Sequence, residues 1–246
     1  MENLEYSVTV PVYNEQDNLG ELADNIKQAM SKLDKPWEAI LVDDGSHDDS
    51  RRIIKEICEQ DPHFRYLFFD HNHGQTAAFD AGFKSARGRL IITMDADLQV
   101  DANDIPKLLE KIDEYDAVVG YRAKRQDTVV KKLSSKIANN IRNKLSGESI
   151  RDTGCPLKIM KRECLSNVKL FKGMHRFFPT LIKMEGYTVT EVPVNHFPRV
   201  HGVSKYNISN RALRALLDLF AVRWMKKRYL GYKIIQDSLN PTPRDL

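Results

Sequence analysis

Long apolar runs are missing from this chain of 246 residues. No stretch approaches the ~18 to 20 uninterrupted apolar residues that a membrane span requires, so no spanning segment is expected. The opening, MENLEYSVTV, lacks the basic region and apolar core of a signal peptide, and a cytoplasmic location is the expectation. Cysteine is scarce: Cys58, Cys155 and Cys164 are odd in number and widely spaced. No CxxC pattern is present, so free thiols in a reducing compartment are expected. Two phosphate cradles are also absent, the G-x-G-x-x-G turn and the G-x-x-x-x-G-K-[ST] loop. There is no internal repeat and no low-complexity tract. Charge is nearly balanced, with 38 basic and 34 acidic residues and a net +4, so its distribution carries more information than its sum.

What is present alternates. Apolar stretches suited to buried strands run over Tyr6–Val12, Trp37–Val42, Phe64–Phe69, Leu90–Met94 and Ala117–Gly120. Between them, helical spacing appears in Glu15 to about Leu33, after Ser46 or Asp48 as cap (Ile53, Ile54, Ile57), in the small-residue stretch Thr76–Ala86, and in Ile105–Ile112. Strands alternating with helices imply a doubly wound, mostly parallel α/β sheet. Further on, Lys161–Val168 and His175–Glu185 read as helices and Thr188–Asn195 as a strand.

The stretch Leu90–Asp101, LIITMDADLQVD, is the most informative. A buried parallel strand is apolar on both faces, and its carboxyl end lies at the crevice where open α/β sheets bind ligands. Asp95 and Asp97 follow such a strand and are two residues apart, so in extended chain both point the same way. Two adjacent carboxylates repel unless a cation or proton lies between them. Hard oxygen donors with open positions suit Mg²⁺ or Mn²⁺ carrying substrate phosphate oxygens. The plain alternative is an acidic loop capping the next helix through Asp101 or Asn103. Glu15, then Asp43 and Asp44, close two other strand ends. Three acidic strand ends favour the metal reading, since they suit hydroxyls and a metal-bridged pyrophosphate rather than a bare phosphate.

Beyond Arg122 the chain turns basic: Arg122 to Lys144 holds eight basic residues and one acid, Asp127. Leu133, Ile137, Ile141 and Leu145 make this an amphipathic pattern, which fits a helix packed on the sheet or one meeting anionic lipid. Nucleic acid is disfavoured, because no aromatics interleave the charges. Asp152, in Ile150–Lys158, fits a turn residue. The loop Arg199–Tyr206 sets two cations, Arg199 and Lys205, around a glycine and a serine, as a surface loop or a flap over a pyrophosphate. In Asn210–Tyr229, Leu213, Leu216, Leu217, Phe220, Ala221, Trp224 and Met225 share a stripe beside Lys226-Lys227-Arg228. That helix can pack on the domain or lie in a membrane interface.

Six segments together resemble family 2 glycosyltransferases of the GT-A fold, in the polyprenyl-phosphate glycosyltransferase branch. They are Pro11-Val12-Tyr13-Asn14-Glu15, Val42-Asp43-Asp44-Gly45-Ser46, Asp95-Ala96-Asp97-Leu98-Gln99, Gly120-Tyr121-Arg122, Asp152-Thr153-Gly154-Cys155, and Arg199 with Gly202–Tyr206. The resemblance runs from about residue 5 to 225. It implies a GT-A domain over residues 1–208, with a nucleotide-binding half (1–100) and an acceptor half (101–208), followed by an amphipathic helix and tail (209–246). It implies that Pro11, Tyr13, Glu15, Val42, Asp44 and Ala96 line a nucleotide-sugar pocket, and that Asp95, Asp97 and Gln99 hold Mg²⁺ or Mn²⁺. Arg122 would reach the donor, and Arg199 and Lys205 would clamp its phosphates. Catalytic roles fall to Asp97, Arg122 and Asp152, the last as base if the acceptor is a hydroxyl.

The implied reaction is inverting transfer of a hexose, from a donor of the GDP-mannose or UDP-glucose type, to a polyprenyl phosphate at the cytoplasmic membrane face. Other readings are a cytosolic transferase acting on a glycan hydroxyl, or a non-catalytic nucleotide-sugar-binding scaffold. Many relatives continue into C-terminal membrane spans. The expectation here is peripheral attachment to an anionic membrane, a membrane partner subunit or homo-oligomer, or a different acceptor. After the acidic loop, Val100-Asp101-Ala102-Asn103 replaces the Asp-Pro-Pro turn common among relatives.

Overall fold

The computed structural model describes residues 4–123, 150–198 and 208–230, with side chains of the last helix from Leu217 onward. Among the described residues, seven strands form one sheet: β1 (Tyr6–Val12), β2 (Trp37–Asp43), β3 (Phe64–Phe68), β4 (Leu90–Thr93), β5 (Ala117–Arg122), β6 (Lys158–Lys161) and β7 (Val189–Val194). Their order is β3-β2-β1-β4-β6-β5-β7. All neighbours are parallel except β6, which runs antiparallel to both β4 and β5. The described helices are α1 (Leu19–Met30), α2 (Ser50–Gln60), α3 (Gln75–Ser85), α4 (Ile105–Leu109), α5 (Phe178–Met184) and α6 (Ile208–Arg228).

The period of two in β1 explains the layering. Tyr6, Val8, Val10 and Val12 face one side, where Leu22, Ile26 and Met30 of α1 and Ile105 and Leu108 of α4 complete a core. The opposite face carries Ile40, Val42 and Ile91 under Ala78, Phe79 and Phe83 of α3 and Phe178 and Ile182 of α5. Each large side chain buried this way contributes about 1.5–3 kcal/mol. Ser7 and Thr9 leave α3 room to sit close: a Cβ at Gly82 would come within 2.1 Å of Thr9 Cγ2. The small-residue helix therefore packs hard on the sheet, directly over β1.

Pro11 ends one ladder and leaves the other intact. Pairing of β1 with β4 stops at Thr9–Thr93, while pairing with β2 continues to Val12–Asp43. The Thr9 carbonyl accepts from Met94 N–H at 3.2 Å, so residues 9 and 11 both turn toward β4. The missing N–H of Pro11 falls one step beyond the last rung, where it costs no sheet bond.

Several expectations are corrected. The first helix starts at Leu19, not Glu15, because residues 13–18 form a loop tied to the next one. Neither Ser46 nor Asp48 is the N-cap of α2; that position is Asp49. Ser46 Oγ instead accepts from Asn14 N at 2.9 Å, and Asp48 accepts from Gln16 N and Ser50 N. Asp101 does cap the turn Ala102–Asp104 through Asn103 N, but α4 itself ends at Leu109. Lys161–Val168 is not a helix: β6 ends at Lys161 and one 3₁₀ turn, Arg162–Leu165, follows. In His175–Glu185 the first turn is 3₁₀ (Met174–Phe177) and α5 takes the rest.

The stripe read on the last helix also divides. Leu219 and Val222, which were not in it, are buried against Met174, Phe177 and Leu181. Leu217, Phe220 and Trp224 point outward, 60%, 52% and 64% exposed. Among the described residues no helix is long and apolar enough to cross a membrane.

Candidate active site

The carboxyl ends of β1, β2 and β4 meet along one rim. At β4 the strand passes through Met94 into Asp95, whose Oδ1 accepts from Gln75 Nε2 at 2.7 Å. Gln75 is the first residue of α3, so the helix over the sheet holds the acidic loop from above. Ala96 and Asp97 are nearly buried, and Asp97 Oδ1 accepts from Gln99 N at 3.3 Å. Leu98 between them has φ +57°. A branched side chain in the left-handed region is held against its preference, a form of strain found at ligand-binding turns. Gln99 is clipped to the chain after β7: Phe197 N donates to its carbonyl at 3.0 Å, and its Nε2 lies 3.5 Å from Phe197 O. The acidic loop is thus joined to the segment that enters residues 199–207. Arg199 and Lys205 lie outside the described residues, as does the basic stretch from Lys124 to Lys144.

At β2 the two acids differ. Asp43 is fully buried; its Oδ1 accepts from Ser46 N and from Arg51 Nε at 2.6 Å. Its Oδ2 is buried with no hydrogen-bond partner among the described residues. Asp44 accepts from His73 N at 2.7 Å, from Gly74 N at 2.9 and 3.1 Å, and from Asn72 Nδ2 at 3.0 Å. Burial pushes the Asp44 carboxyl up, and those backbone bonds only partly oppose it. Asp44 therefore shapes the loop that starts α3. Val42 does not line an open pocket with its side chain, which lies wholly within the core under α3.

The loop after β1 is lashed to the loop after β2. Besides the bonds to Ser46 and Asp48, Glu15 N donates to Ser50 Oγ at 3.0 Å and His47 N to Asn14 Oδ1 at 2.8 Å. Asn14 itself has φ +50°. Tyr13 is half-buried and meets the His47 ring edge-on at 6.5 Å. Glu15 Oε2 accepts from Asn18 Nδ2 at 2.6 Å. Pro11, Tyr13, Glu15, Asp44, Ala96, Asp95 and Asp97 are thereby gathered on one rim.

On the other side, Arg122 ends β5 and grips Asp152. Nε donates to Oδ2 at 2.6 Å and Nη2 to Oδ1 at 2.9 Å. Gly154 N adds a bond to Oδ1 at 3.2 Å. A forked guanidinium–carboxylate pair with both groups largely buried fixes the orientation of the carboxylate. Beneath it, Lys158 is 4% exposed, donates to the Cys155 carbonyl and feels the charges of Asp95 and Asp152. Burial pulls its ammonium down. Burial raises all three thiols, Cys58 and Cys155 to about 11 and Cys164 to about 12, which leaves them unreactive.

Sequence reasoning missed Gln75, Thr76 and His175. Thr76 Oγ1 accepts from Gly173 N at 3.0 Å and lies 2.8 Å from His175 Nδ1. The available signal was the polar pair Gln75-Thr76 opening a small-residue helix. The donor set fits a hard divalent ion: carboxylates Asp95 and Asp97 follow one strand end, on a loop tied by Gln75 and Phe197. Two carboxylates with substrate oxygens completing the shell is the usual pattern for Mg²⁺ or Mn²⁺.

A sequence model of glycosyl transferase family 2 matches residues 7–168. The chain is 39% identical over 233 residues to dodecaprenyl-phosphate galacturonate synthase of Rhizobium johnstonii, covering 92% of this chain and 69% of that protein. It is also 39% identical over 215 residues to undecaprenyl-phosphate 4-deoxy-4-formamido-L-arabinose transferase of Salmonella choleraesuis, covering 87% and 65%. The chain thus spans about two thirds of the length of these relatives. Two solved structures share its fold. One is a Pyrobaculum calidifontis mannosyltransferase in complex with GDP-Man and Mn²⁺ (TM-score 0.63, 20% identity, covering 94% of this chain and 66% of that one). The other is glucosyl-3-phosphoglycerate synthase of Mycobacterium tuberculosis with Mn²⁺ and UDP-glucose (TM-score 0.66, 15% identity, covering 89% and 79%).

Proposed function

The chain belongs to glycosyl transferase family 2, with a GT-A fold, and from that premise we propose that it moves a sugar from a nucleotide diphosphate donor to a polyprenyl phosphate. The observation that carries this reading is the meeting of Asp44, Asp95 and Asp97 on one rim, in a chain 39% identical to two polyprenyl-phosphate sugar transferases. Pro11, Tyr13, Glu15 and Asp44 take the nucleoside end. Asp95 and Asp97, with Gln99, would hold Mg²⁺ or Mn²⁺, which would supply positive charge to the leaving diphosphate. Arg199 and Lys205 add cations to the same phosphates.

An acceptor phosphate oxygen attacks the anomeric carbon from the face opposite the nucleoside diphosphate, giving inversion. Such a phosphate is ionised near neutral pH and needs no strong base. Asp152, engaged by Arg122 on both oxygens, suits a positioning role: it aims Arg122 along the rim. Lys158 lies behind this pair, its amine donating to the Cys155 carbonyl. The outward row Leu217, Phe220 and Trp224, ending in Lys226-Lys227-Arg228, supports peripheral contact with an anionic membrane face, alone or beside a membrane partner.

Calorimetry tests the donor half. GDP, UDP and their sugar conjugates are titrated into the full chain with and without Mn²⁺, and again into Asp97→Ala. Metal-dependent binding of one nucleotide, lost in the variant, is expected. Absence of binding by any of them overturns the reading.

A further inference from the structure

The loop from Asp70 to Gly74, tethered to Asp44 through its backbone, carries a second donor cluster on exposed side chains. His71 Nδ1 lies 2.9 Å from Asp70 Oδ2, and His73 Nε2 lies 2.8 Å from Asp70 Oδ1. The two imidazole rings are 4.0 Å apart, and one donor atom from each residue falls within 4.8 Å of the others. All three side chains are exposed. We propose that Asp70, His71 and His73 form a surface site for a borderline transition-metal ion of the zinc class, separate from the hard-ion site at Asp95 and Asp97.

Donor chemistry selects the ion. Two imidazoles and one carboxylate suit Zn²⁺ and its neighbours, whereas Mg²⁺ and Mn²⁺ favour carboxylate and phosphate oxygens. Donors around one zinc ion stand about 3–3.5 Å apart, given bonds of about 2.0–2.2 Å. The exposed side chains reach that spacing with small rotations, and water completes the shell.

The backbone under the cluster is already fixed, so little ordering is lost on binding. Asp44 holds His73 N, Gly74 N and the Asn72 side chain. From below, the loop rests on Gly45, where a Cβ would come within 2.4 Å of the His71 carbonyl carbon. Within the free protein Asp70 accepts from both rings; an ion placed between them replaces these two hydrogen bonds with three coordinate bonds.

The test is titration of the full chain with ZnCl₂, read by calorimetry, in buffer containing excess Mg²⁺. One saturable Zn²⁺ site per chain is expected, unaffected by Mg²⁺ and retained in Asp95→Asn/Asp97→Asn. The double variant His71→Ala/His73→Ala is expected to weaken it at least about 100-fold, and Asp70→Asn by about 10-fold or more. Because all three residues are exposed, thermal unfolding of the metal-free variants should match that of the parent chain. Zinc binding of equal strength in the double variant, or no saturable binding to the parent, overturns the proposal. Loss of the site in Asp95→Asn/Asp97→Asn alone places the zinc on the acidic rim and also overturns it.

Discussion

Gln75 donates from its side-chain amide to Asp95 at 2.7 Å, linking the first residue of α3 to the acidic loop after β4. Residues that orient a metal-holding carboxylate typically change affinity 10–100-fold when removed. Gln75→Ala is therefore expected to weaken Mn²⁺-dependent nucleotide binding at least about tenfold in calorimetry, while leaving metal-free binding unchanged. Equal Mn²⁺ dependence in the variant would show that the bond serves packing alone.

The Arg122–Asp152 pair makes a prediction about the acceptor. A general base contributes about 100-fold or more to rate. With a polyprenyl phosphate acceptor, Asp152→Asn is expected to lower kcat by less than that, because the acceptor is already ionised. Arg122→Ala is expected to be worse, since it removes the guanidinium that engages both oxygens of a largely buried carboxylate, and removing one partner of a buried ion pair costs about 3–5 kcal/mol. Single-turnover rates together with urea unfolding of both variants separate the two effects.

Close packing of α3 on β1 predicts a steric penalty. Gly82→Ala places a methyl group against Thr9, and overpacking of this kind costs about 1–3 kcal/mol. The urea midpoint should fall, and the double variant Gly82→Ala/Thr9→Ser, which removes the Thr9 methyl, should recover part of it.

Stability should fall on acidification. Burial works to raise Glu38, yet bonds from Arg87 and Ser7 and the charge of Arg65 outweigh it and hold the carboxyl low. Asp61, despite burial, is held at about 2 by Lys27 and His63, and Asp116 at about 2 by Lys161 and Thr188. Unfolded carboxyls titrate near ~3.9–4.3. These groups therefore stabilise the fold fully above that range, and the contribution is lost as pH falls from about 5 toward 2. Asp44, raised by burial, acts with opposite sign: its effect is most favourable in acid and is lost as pH rises through its folded pKa. Urea midpoints between pH 7 and pH 3 should decline, and Asp116→Asn should flatten the decline.

Membrane contact is tested on α6. Each basic residue near an anionic surface contributes about 1 kcal/mol. Replacing Lys226, Lys227 and Arg228 together by Gln should weaken binding to phosphatidylserine vesicles by roughly two orders of magnitude. Phe220→Ser/Trp224→Ser should weaken binding to neutral vesicles as well. Sedimentation with vesicles reads both, and equal binding by all variants would remove α6 from the membrane face.

Much of this was legible in the sequence because the signal was local. Val8, Val10 and Val12 beside Leu22, Ile26 and Met30 announce a strand and the helix that covers it. Asp95 and Asp97 announce a strand end, since buried apolar chain cannot continue through two carboxylates. What was hidden depends on tertiary partners. Lys158-Ile-Met-Lys161 has no alternation and a lysine at each end, so β6 reads as turn and helix until β4 and β5 are placed on either side. Glu38 looks out of place in an apolar strand until Ser7, Arg65 and Arg87 surround it. The role of Gln75 could not be read from spacing, because its partner lies 20 residues away, beyond the rest of α3, a turn and β4.

The position of β6 also governs how the chain is made. It lies between β4 and β5 in the sheet yet follows both in sequence. As the polypeptide leaves the ribosome, β1 to β4 can pair while the outer edge of β4 and both edges of β5 wait for later strands. At about 5–20 residues per second, adding residues 123–161 takes roughly 2–8 seconds. Throughout that interval these three edges are open to pairing with other chains. Release of a chain cut short before Lys158 would expose these edges permanently. Synthesis through residue 161 closes the edge of β4 and one edge of β5, and the other edge of β5 stays open until β7 has been made through Val194.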